Sequence, residues 1–209
     1  MRHLSHKRSR FFSIAENYST LYSYSNSKEQ IINSAGVLNS IWNSWNNFWR
    51  DYWIAHVIGG YDFSQKLISP IFLNYTDKQA CHYLLFAYGK RKKHNFGDTL
   101  NYNYQELTWG DPDVISKIAS SLLHYHSSMN SVLGVLSYYY TSIQHFQRIR
   151  NTFIHLNNEN VYCLNSIASH YSFSQNQEPI DILEAKDINS QRKCFEYLVD
   201  SITGMIKNL

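Results

Sequence analysis

A cation, an amide and an imidazole occur within six residues of the C-terminal half, at Arg150, Asn151 and His155. An arginine side chain can hold a phosphate through two parallel hydrogen bonds, and an imidazole exchanges protons near neutral pH. An asparagine next to the arginine can position either group by hydrogen bonding. These residue types suit anion binding combined with proton transfer, and we place the chemistry of the chain at this stretch.

The preceding helix decides how Arg150 is presented. Apolar residues recur at helical spacing in Met129, Val132, Leu133, Leu136, Tyr139, Tyr140, Ile143 and Phe146. The same spacing predicts that Arg150 lies on the packing face and that Arg148 lies on the polar face. Because an unpaired buried charge costs several kcal/mol, Arg150 is either paired structurally or free to hold an anion.

The pattern Arg150-Asn151-x-x-x-His155 resembles the R-x4-6-H motif of the HEPN superfamily, in the form with a polar residue directly after the arginine. HEPN domains are all-α ribonuclease and nucleotide-associated domains. The resemblance implies metal-independent RNA cleavage by 2′-hydroxyl attack, at a composite cleft where the motifs of two protomers face each other. In that reaction His155 is the general acid or base, Arg150 the phosphate clamp and Asn151 a positioning group.

The resemblance also implies a biological setting, namely a toxin or anti-phage defence effector that works with an antitoxin or another defence-system partner protein. The alternative is a non-catalytic HEPN-like module that binds a partner protein or a nucleotide, as an antitoxin or regulatory subunit. In HEPN toxins silenced by AMP transfer, a tyrosine often lies two residues after the histidine, whereas this chain has Asn157 there. Control by AMP transfer is therefore not expected.

Arg150 and His155 cannot face the same way on one regular helix. Five residues at 100° each place them about 140° apart. Either the helix breaks between them, or the site is assembled from two protomers, and the homodimer implied by the resemblance removes the difficulty.

A second pair, Arg50 and His56, also fits the loose motif and is the main competitor. Asp51 follows Arg50, but the pair lies in a tryptophan-rich helix where core hydrogen bonding is the simpler role. Two basic clusters could contact RNA, one at Lys90, Arg91, Lys92 and Lys93, followed by His94, and one from Lys7 to Arg10. The first cluster also follows a predicted helix C-terminus, where the helix dipole favours cations.

No metal site and no cofactor are predicted. His124 and His126 are two residues apart on a predicted helix and face different directions. Cys163 with His170 could form a nucleophile and base, although buried cysteine is more often inert. The run from Tyr138 to Tyr140 and the tryptophans could stack bases, but packing is the simpler explanation.

Composition limits the class of protein. The 209 residues are 44% hydrophobic and 17% charged, with a net charge of +3, so RNA binding must depend on local clusters. We predict one domain over residues 1–209. Three widely spaced cysteines fit no disulfide framework and favour the cytoplasm, and no stretch is expected to span a membrane.

Periodicity and capping signals predict an all-α, HEPN-like bundle of six or seven helices without a β-sheet. A long tryptophan-rich helix is expected near residues 28–57, opened by a capping box of Ser27 and Gln30, and a second long helix should end at the motif. Helices over residues 10–24 and 190–207 are expected to be peripheral. Residues 61–75 read as a connector with a helical turn near Lys66, and residues 95–110 as a loop with a short extended piece around Tyr102 to Leu107.

Overall fold

The computed structural model of the chain describes residues 2–23, 30–95, 97–100, 106–155, 157–174 and 180–209. These ranges contain eight α-helices: α1 (Leu4–Ser23), α2 (Gln30–Ile58), α3 (Asp77–Tyr88), α4 (Pro112–Leu122), α5 (Met129–Ile154), α6 (Asn158–Ile167), α7 (Asp181–Glu184) and α8 (Cys194–Lys207). The all-α class is confirmed, whereas the HEPN-like arrangement stays a prediction. None of the helices in these ranges combines the length and apolar character needed to cross a membrane.

One short antiparallel ladder corrects the prediction of no β-sheet. Strand β1 (Gly60–Tyr61) pairs with β2 (Leu67–Ile68). The chain reverses at the place where we expected a helical turn, because Asp62 Oδ1 accepts the backbone N–H groups of Ser64 and Lys66, both at 2.8 Å. Gln65 completes the turn with a positive φ of 62°.

Side-chain caps fix the ends of α3 and the start of α4. Thr76 and Gln79 form a capping box at the start of α3, and Gly89 ends that helix with a left-handed φ of 92°. Asp111 accepts the N–H groups of the first turn of α4, with Pro112 at the first helical position. The capping box predicted at Ser27 lies outside the described residues, and of the extended piece predicted over Tyr102–Leu107 the structure describes only the last two residues.

Two helix boundaries differ from the sequence expectation. α1 begins at Leu4 instead of residue 10, and α8 begins at Cys194 instead of residue 190. A true break separates α4 from α5, since the carbonyl of Leu122 accepts the N–H groups of Tyr125 and His126. The segment between α6 and α8 contains the one-turn helix α7, which brings the helix count above the expected six or seven.

The chain divides into two compact units. Unit 1 comprises residues 1–11, 45–138 and 209, and unit 2 comprises residues 12–44 and 139–208. The boundaries lie inside α1, α2 and α5, so each of these helices contributes residues to both units. The prediction of a single domain stays a prediction.

Tryptophans of α2 form the centre of unit 1, as their spacing predicts. Trp45, Trp49 and Trp53 are fully buried, and consecutive ring centroids along the series are 5.5 and 5.1 Å apart. Trp45 Nε1 donates to the carbonyl of Gly110 at 2.8 Å, and Asn46 Oδ1 accepts the N–H of Gly110 at 2.9 Å. These bonds join α2 to the start of α4.

Unit 2 has its own core, which positions the C-terminal half of α5. Trp42 of α2 stacks on Phe146 of α5 with ring centroids 5.7 Å apart. Tyr22 of α1 stacks on Phe195 of α8 at 4.0 Å. Because α2 packs against α5 at the Trp42–Phe146 contact, the turn of α5 that follows Phe146 and carries the motif lies near polar residues of α2.

Candidate functional site

Arg150 lies beside the buried stripe of α5 and not on it, contrary to the sequence expectation. The stripe runs through Ile143, Phe146, Ile149 and Thr152, all of them buried, whereas Arg150 is half-buried. Each step of three residues turns a helix by 300°, which is less than a full turn. A stripe with this spacing therefore moves around the helix, away from the line of residues from which a packing position was predicted for Arg150. The guanidinium group therefore leaves from the edge of the packing face.

Three hydrogen bonds to amide oxygens hold this guanidinium. Asn39 Oδ1 on α2 accepts from Arg150 Nε at 3.2 Å and also from Nη2. Asn151 Oδ1 accepts from Nη1 at 3.0 Å. Sequence reasoning assigned Asn151 a positioning role but missed Asn39, because a contact between two helices leaves no periodic signal along either of them.

The charge of Arg150 is held but not neutralised. The amides of Asn39 and Asn151 carry no charge, and among the described residues no carboxylate forms an ion pair with Arg150. Burial lowers the pKa of Arg150, because loss of solvent disfavours the charged form. Arginine nonetheless remains protonated at neutral pH. An anion that binds here would therefore interact with a cation that is partly desolvated and already oriented.

His155 lies one residue beyond the end of α5 and is exposed. Its backbone N–H donates to the carbonyl of Asn151 at 2.8 Å, and its own carbonyl accepts from Asn160 Nδ2 at 2.6 Å. Among the described residues no side chain hydrogen-bonds to the imidazole, which is therefore open to solvent. Because the helical bonding pattern continues to this residue, the break that could bring His155 towards Arg150 within one protomer does not occur.

Two neighbours of the motif have structural roles. Arg148 is exposed and donates from Nη1 to Ser166 Oγ at 3.4 Å, which confirms that it lies on the solvent side of α5. Asn157 caps α6, because its side-chain oxygen accepts the N–H of Asn160 at 2.8 Å. The residue two positions after His155, where HEPN toxins often have a tyrosine, thus serves here to start a helix.

The competing Arg50 forms an ion pair. Its Nε and Nη2 donate to the two carboxylate oxygens of Glu106 at 2.7 and 2.8 Å, and Trp109 Nε1 donates to the same carboxylate at 2.8 Å. The hydrogen bonds that Arg50 donates to Glu106 raise the pKa of Arg50. With its fork already filled by a carboxylate, Arg50 is a structural cation, unlike Arg150.

His56, the partner of Arg50 in the competing pair, is buried in unit 1. Its Nδ1 donates to the carbonyl of Tyr52 at 2.8 Å, and burial lowers its pKa to about 4. The imidazole is therefore neutral near pH 7. It lines a cavity of about 580 Å³ that Tyr125, His126 and several serines also line. Core hydrogen bonding is the role expected for His56 from its place in a tryptophan-rich helix, and this geometry matches it, whereas nothing in the sequence indicated the cavity.

The basic segment Lys90–Lys93 follows the left-handed Gly89 at the end of α3, and all four of its side chains are exposed. None of them forms an ion pair with another described residue. Their position is compatible with the helix-dipole explanation and equally with contact to a phosphate backbone. His94 does not belong to this exposed segment, because it is half-buried and bonded to Tyr75 and His82.

The N-terminal basic cluster is partly engaged within unit 1. Lys7 Nζ lies 2.8 Å from Asp51 Oδ2, and the Arg8 guanidinium carbon lies 4.5 Å from the centroid of the Phe63 ring. Arg10 is exposed. Since two of its three cations already have intramolecular partners, this cluster is a weaker candidate for RNA contact than Lys90–Lys93.

The remaining sequence candidates are not brought together. His124 is exposed, while His126 donates from Nε2 to the carbonyl of His56 at 2.8 Å. Cys163 is half-buried and His170 exposed, and no hydrogen bond joins them among the described contacts.

Comparisons of the chain with models of protein families, with curated proteins and with solved structures found no match. The functional argument therefore depends on the residues and on their geometry.

Proposed function

We propose that the chain is a metal-independent endoribonuclease of HEPN type, which cleaves RNA at a composite site formed by two copies of the chain. The observation that carries the proposal is the state of Arg150: a half-buried guanidinium, oriented by Asn39 and Asn151 and not neutralised by any described carboxylate. A phosphate supplies the missing negative charge and matches the guanidinium geometry.

The reaction assigns a role to each residue of the motif. A base removes the proton of the 2′-hydroxyl, which attacks the adjacent phosphorus, and the 5′-oxygen leaves with a proton supplied by an acid. The products are a 2′,3′-cyclic phosphate and a 5′-hydroxyl. His155 transfers protons, since its imidazole is exposed and has no described hydrogen-bond partner. Arg150 binds the charge that develops on the phosphate oxygens, and Asn39 and Asn151 hold the guanidinium in place.

The helical geometry supports a site built from two protomers. The N–H of His155 still bonds to the carbonyl of Asn151, so the angle of about 140° between Arg150 and His155 persists within one chain. A second copy can present its own His155 to the Arg150-bound phosphate. The proposal therefore includes a homodimer.

Lys90–Lys93 provides a second place of contact with RNA. Its four exposed side chains form no ion pair among the described residues and can bind a phosphate backbone by charge. In a cell, an RNA-cleaving protein of this type acts as a toxin or an anti-phage effector, and it needs a partner protein to restrain it.

The test is cleavage of labelled single-stranded RNA in the presence of EDTA. We expect His155→Ala to lower the rate by about 10²–10⁴-fold and Arg150→Met by about 10²–10³-fold. Asn39→Ala leaves the cation present but loosely held, so its effect should be smaller. His124→Ala, an exposed histidine outside the motif, is the matched control and should cleave like the wild type. No cleavage by the wild type, or full activity in His155→Ala, would sink the proposal.

A second candidate function follows from the bond between Arg150 and Asn39. This bond links α5 to α2, and a cation used only for that link would suit a non-catalytic HEPN-like module that binds a partner protein or a nucleotide. Such a module predicts a large loss of thermal stability in Arg150→Met and no RNA cleavage. The ribonuclease predicts the reverse of both.

A further inference from the structure

Three potential metal ligands meet in unit 1, away from every residue of the motif in sequence. They are His82, His94 and Asp98, and one ligand atom from each lies within 4.8 Å of the other two. His82 belongs to α3 and is buried, while His94 and Asp98 belong to the segment that follows this helix. These three residues could not be recognised as metal ligands from the sequence, because spacings of twelve and four residues match no common zinc pattern.

Backbone contacts hold the ligand-bearing segment in position. Gly89 ends α3, and the N–H of Leu100 donates to the carbonyl of Lys78 at 3.3 Å, so the segment returns to the first turn of the helix it left. Within it, the N–H of Asp98 donates to the carbonyl of Asn95 at 3.0 Å, and the N–H of Asn95 donates to Asp98 Oδ2 at 2.7 Å. The carboxylate is therefore oriented without an ion and has its other oxygen left to bind one.

The distance between the two imidazoles fits shared coordination. His82 Nδ1 and His94 Nδ1 lie 2.9 Å apart. Two nitrogens bonded to one zinc at about 2.05 Å are separated by roughly 2.9 Å at a right angle and by roughly 3.3 Å at the tetrahedral angle. A shift of a few tenths of an ångström thus converts this contact into a pair of metal bonds.

A second layer of contacts also resembles that of metal sites. His94 Nε2 lies 3.1 Å from the hydroxyl oxygen of Tyr75. When that nitrogen donates its hydrogen to Tyr75, the lone pair of His94 lies on Nδ1 and points at His82. Histidine ligands of metals commonly donate their second ring N–H to an oxygen in this way, which fixes the ring and its tautomer.

We propose that His82, His94 and Asp98 bind one Zn²⁺ ion, with water at the fourth position. Two imidazoles and one carboxylate are a ligand set typical of zinc, whereas Mg²⁺ and Ca²⁺ prefer oxygen ligands alone. The ion ties the segment after Lys90–Lys93 to α3. The proposal does not depend on the ribonuclease proposal, because neither the site nor its test involves RNA.

Zinc binding to the full, metal-free chain tests the proposal. A chromophoric chelator that competes for Zn²⁺ reports affinity and stoichiometry, and we expect one ion per chain. His94→Gln and Asp98→Asn each remove one ligand with little change in size and should weaken binding by about 100-fold or more, beyond the 10- to 100-fold typical of outer contacts. Tyr75→Phe should weaken it by about tenfold. His124→Gln, in the same unit but outside the cluster, should bind like the wild type.

Thermal unfolding, followed by circular dichroism, provides the second readout and shows that each variant is folded. Zn²⁺ should raise the melting temperature of the wild type and of His124→Gln, and should leave His94→Gln and Asp98→Asn unchanged. Absence of zinc binding by the wild type would mean that the histidines form only a hydrogen-bonded pair, and this overturns the proposal. Equal binding by the His94→Gln and His124→Gln variants, or tighter binding of Mg²⁺ than of Zn²⁺, also overturns it.

Discussion

The same substitution at the two candidate arginines should have opposite consequences. In Arg50→Met and Arg150→Met, an unbranched apolar side chain replaces the arginine and the positive charge is lost. Arg50 is bonded through two donors to Glu106, and the exposed fractions of the two side chains are only 27% and 15%. Arg150 is bonded to amides alone, and burial lowers its pKa. The folded chain therefore stabilises the charge of Arg50 and opposes the charge of Arg150.

The magnitudes follow from what each change leaves behind. Arg50→Met leaves the carboxylate of Glu106 largely buried with the Trp109 N–H and the Cys81 thiol as donors but no cation, and loss of one partner from a buried pair costs about 3–5 kcal/mol. We take the lower end, about 3 kcal/mol, because both side chains keep some solvent contact. Arg150→Met loses hydrogen bonds to two neutral amides but removes a desolvated charge, so the net change in the free energy of unfolding should be within about 1 kcal/mol.

Thermal unfolding followed by circular dichroism separates these values. For a chain of this length, 1 kcal/mol corresponds to about 2–4 °C in melting temperature. Arg50→Met should therefore lower the melting temperature by about 6–12 °C, and Arg150→Met should change it by less than about 4 °C. A loss in Arg150→Met as large as that in Arg50→Met would refute the reasoning, because it would make Arg150 a structural cation.

Two further predictions concern packing and pH. A Cβ at Gly110 would lie 2.2 Å from ring atoms of Trp45, so Gly110→Ala should destabilise the chain by about 1–3 kcal/mol. At Gly134 of α5 an added Cβ would meet nothing within 4 Å, so Gly134→Ala should stabilise the chain by about 0.5–1 kcal/mol. Urea unfolding measures both changes in free energy, and equal effects would contradict the packing argument. Burial lowers the pKa of His56 and His145 to about 4. The unfolded chain binds these protons near pH 6.5 and the folded chain only near pH 4, so stability is full above about pH 6.5 and falls below it by up to about 1.4 kcal/mol per pH unit for each histidine. His145→Gln should flatten this dependence, and an unchanged pH profile in that variant would show that the buried imidazole is not its source.

Local signals were sufficient for most of the fold. The helix ends at Thr76, Gly89 and Asp111 were predictable, because a cap is formed by residues within one turn of each other. The start of α1 at Leu4 was not, since Leu4 is buried while its sequence neighbours are polar and show no period. The hairpin at Gly60–Ile68 was missed because strands of two residues are too short to show alternation.

The candidate site was predictable only in part. The sequence identified Arg150, Asn151 and His155, because their types and spacing carry the signal. Asn39 could not be identified, because it meets Arg150 only through the packing of α2 on α5 and lies 111 residues away in sequence. The same reason applies to Glu106, whose ion pair with Arg50 across 56 residues separates the structural arginine from the proposed catalytic one.

The chemical nature of the RNA ends tests the central claim most directly. Wild-type protein, incubated with a defined single-stranded RNA in EDTA, should generate 2′,3′-cyclic phosphate and 5′-hydroxyl ends, and His155→Ala should generate neither above background. Uncut RNA, or products with 3′-hydroxyl and 5′-phosphate ends, would contradict the account, because neither result is compatible with 2′-hydroxyl attack on a phosphate held by Arg150.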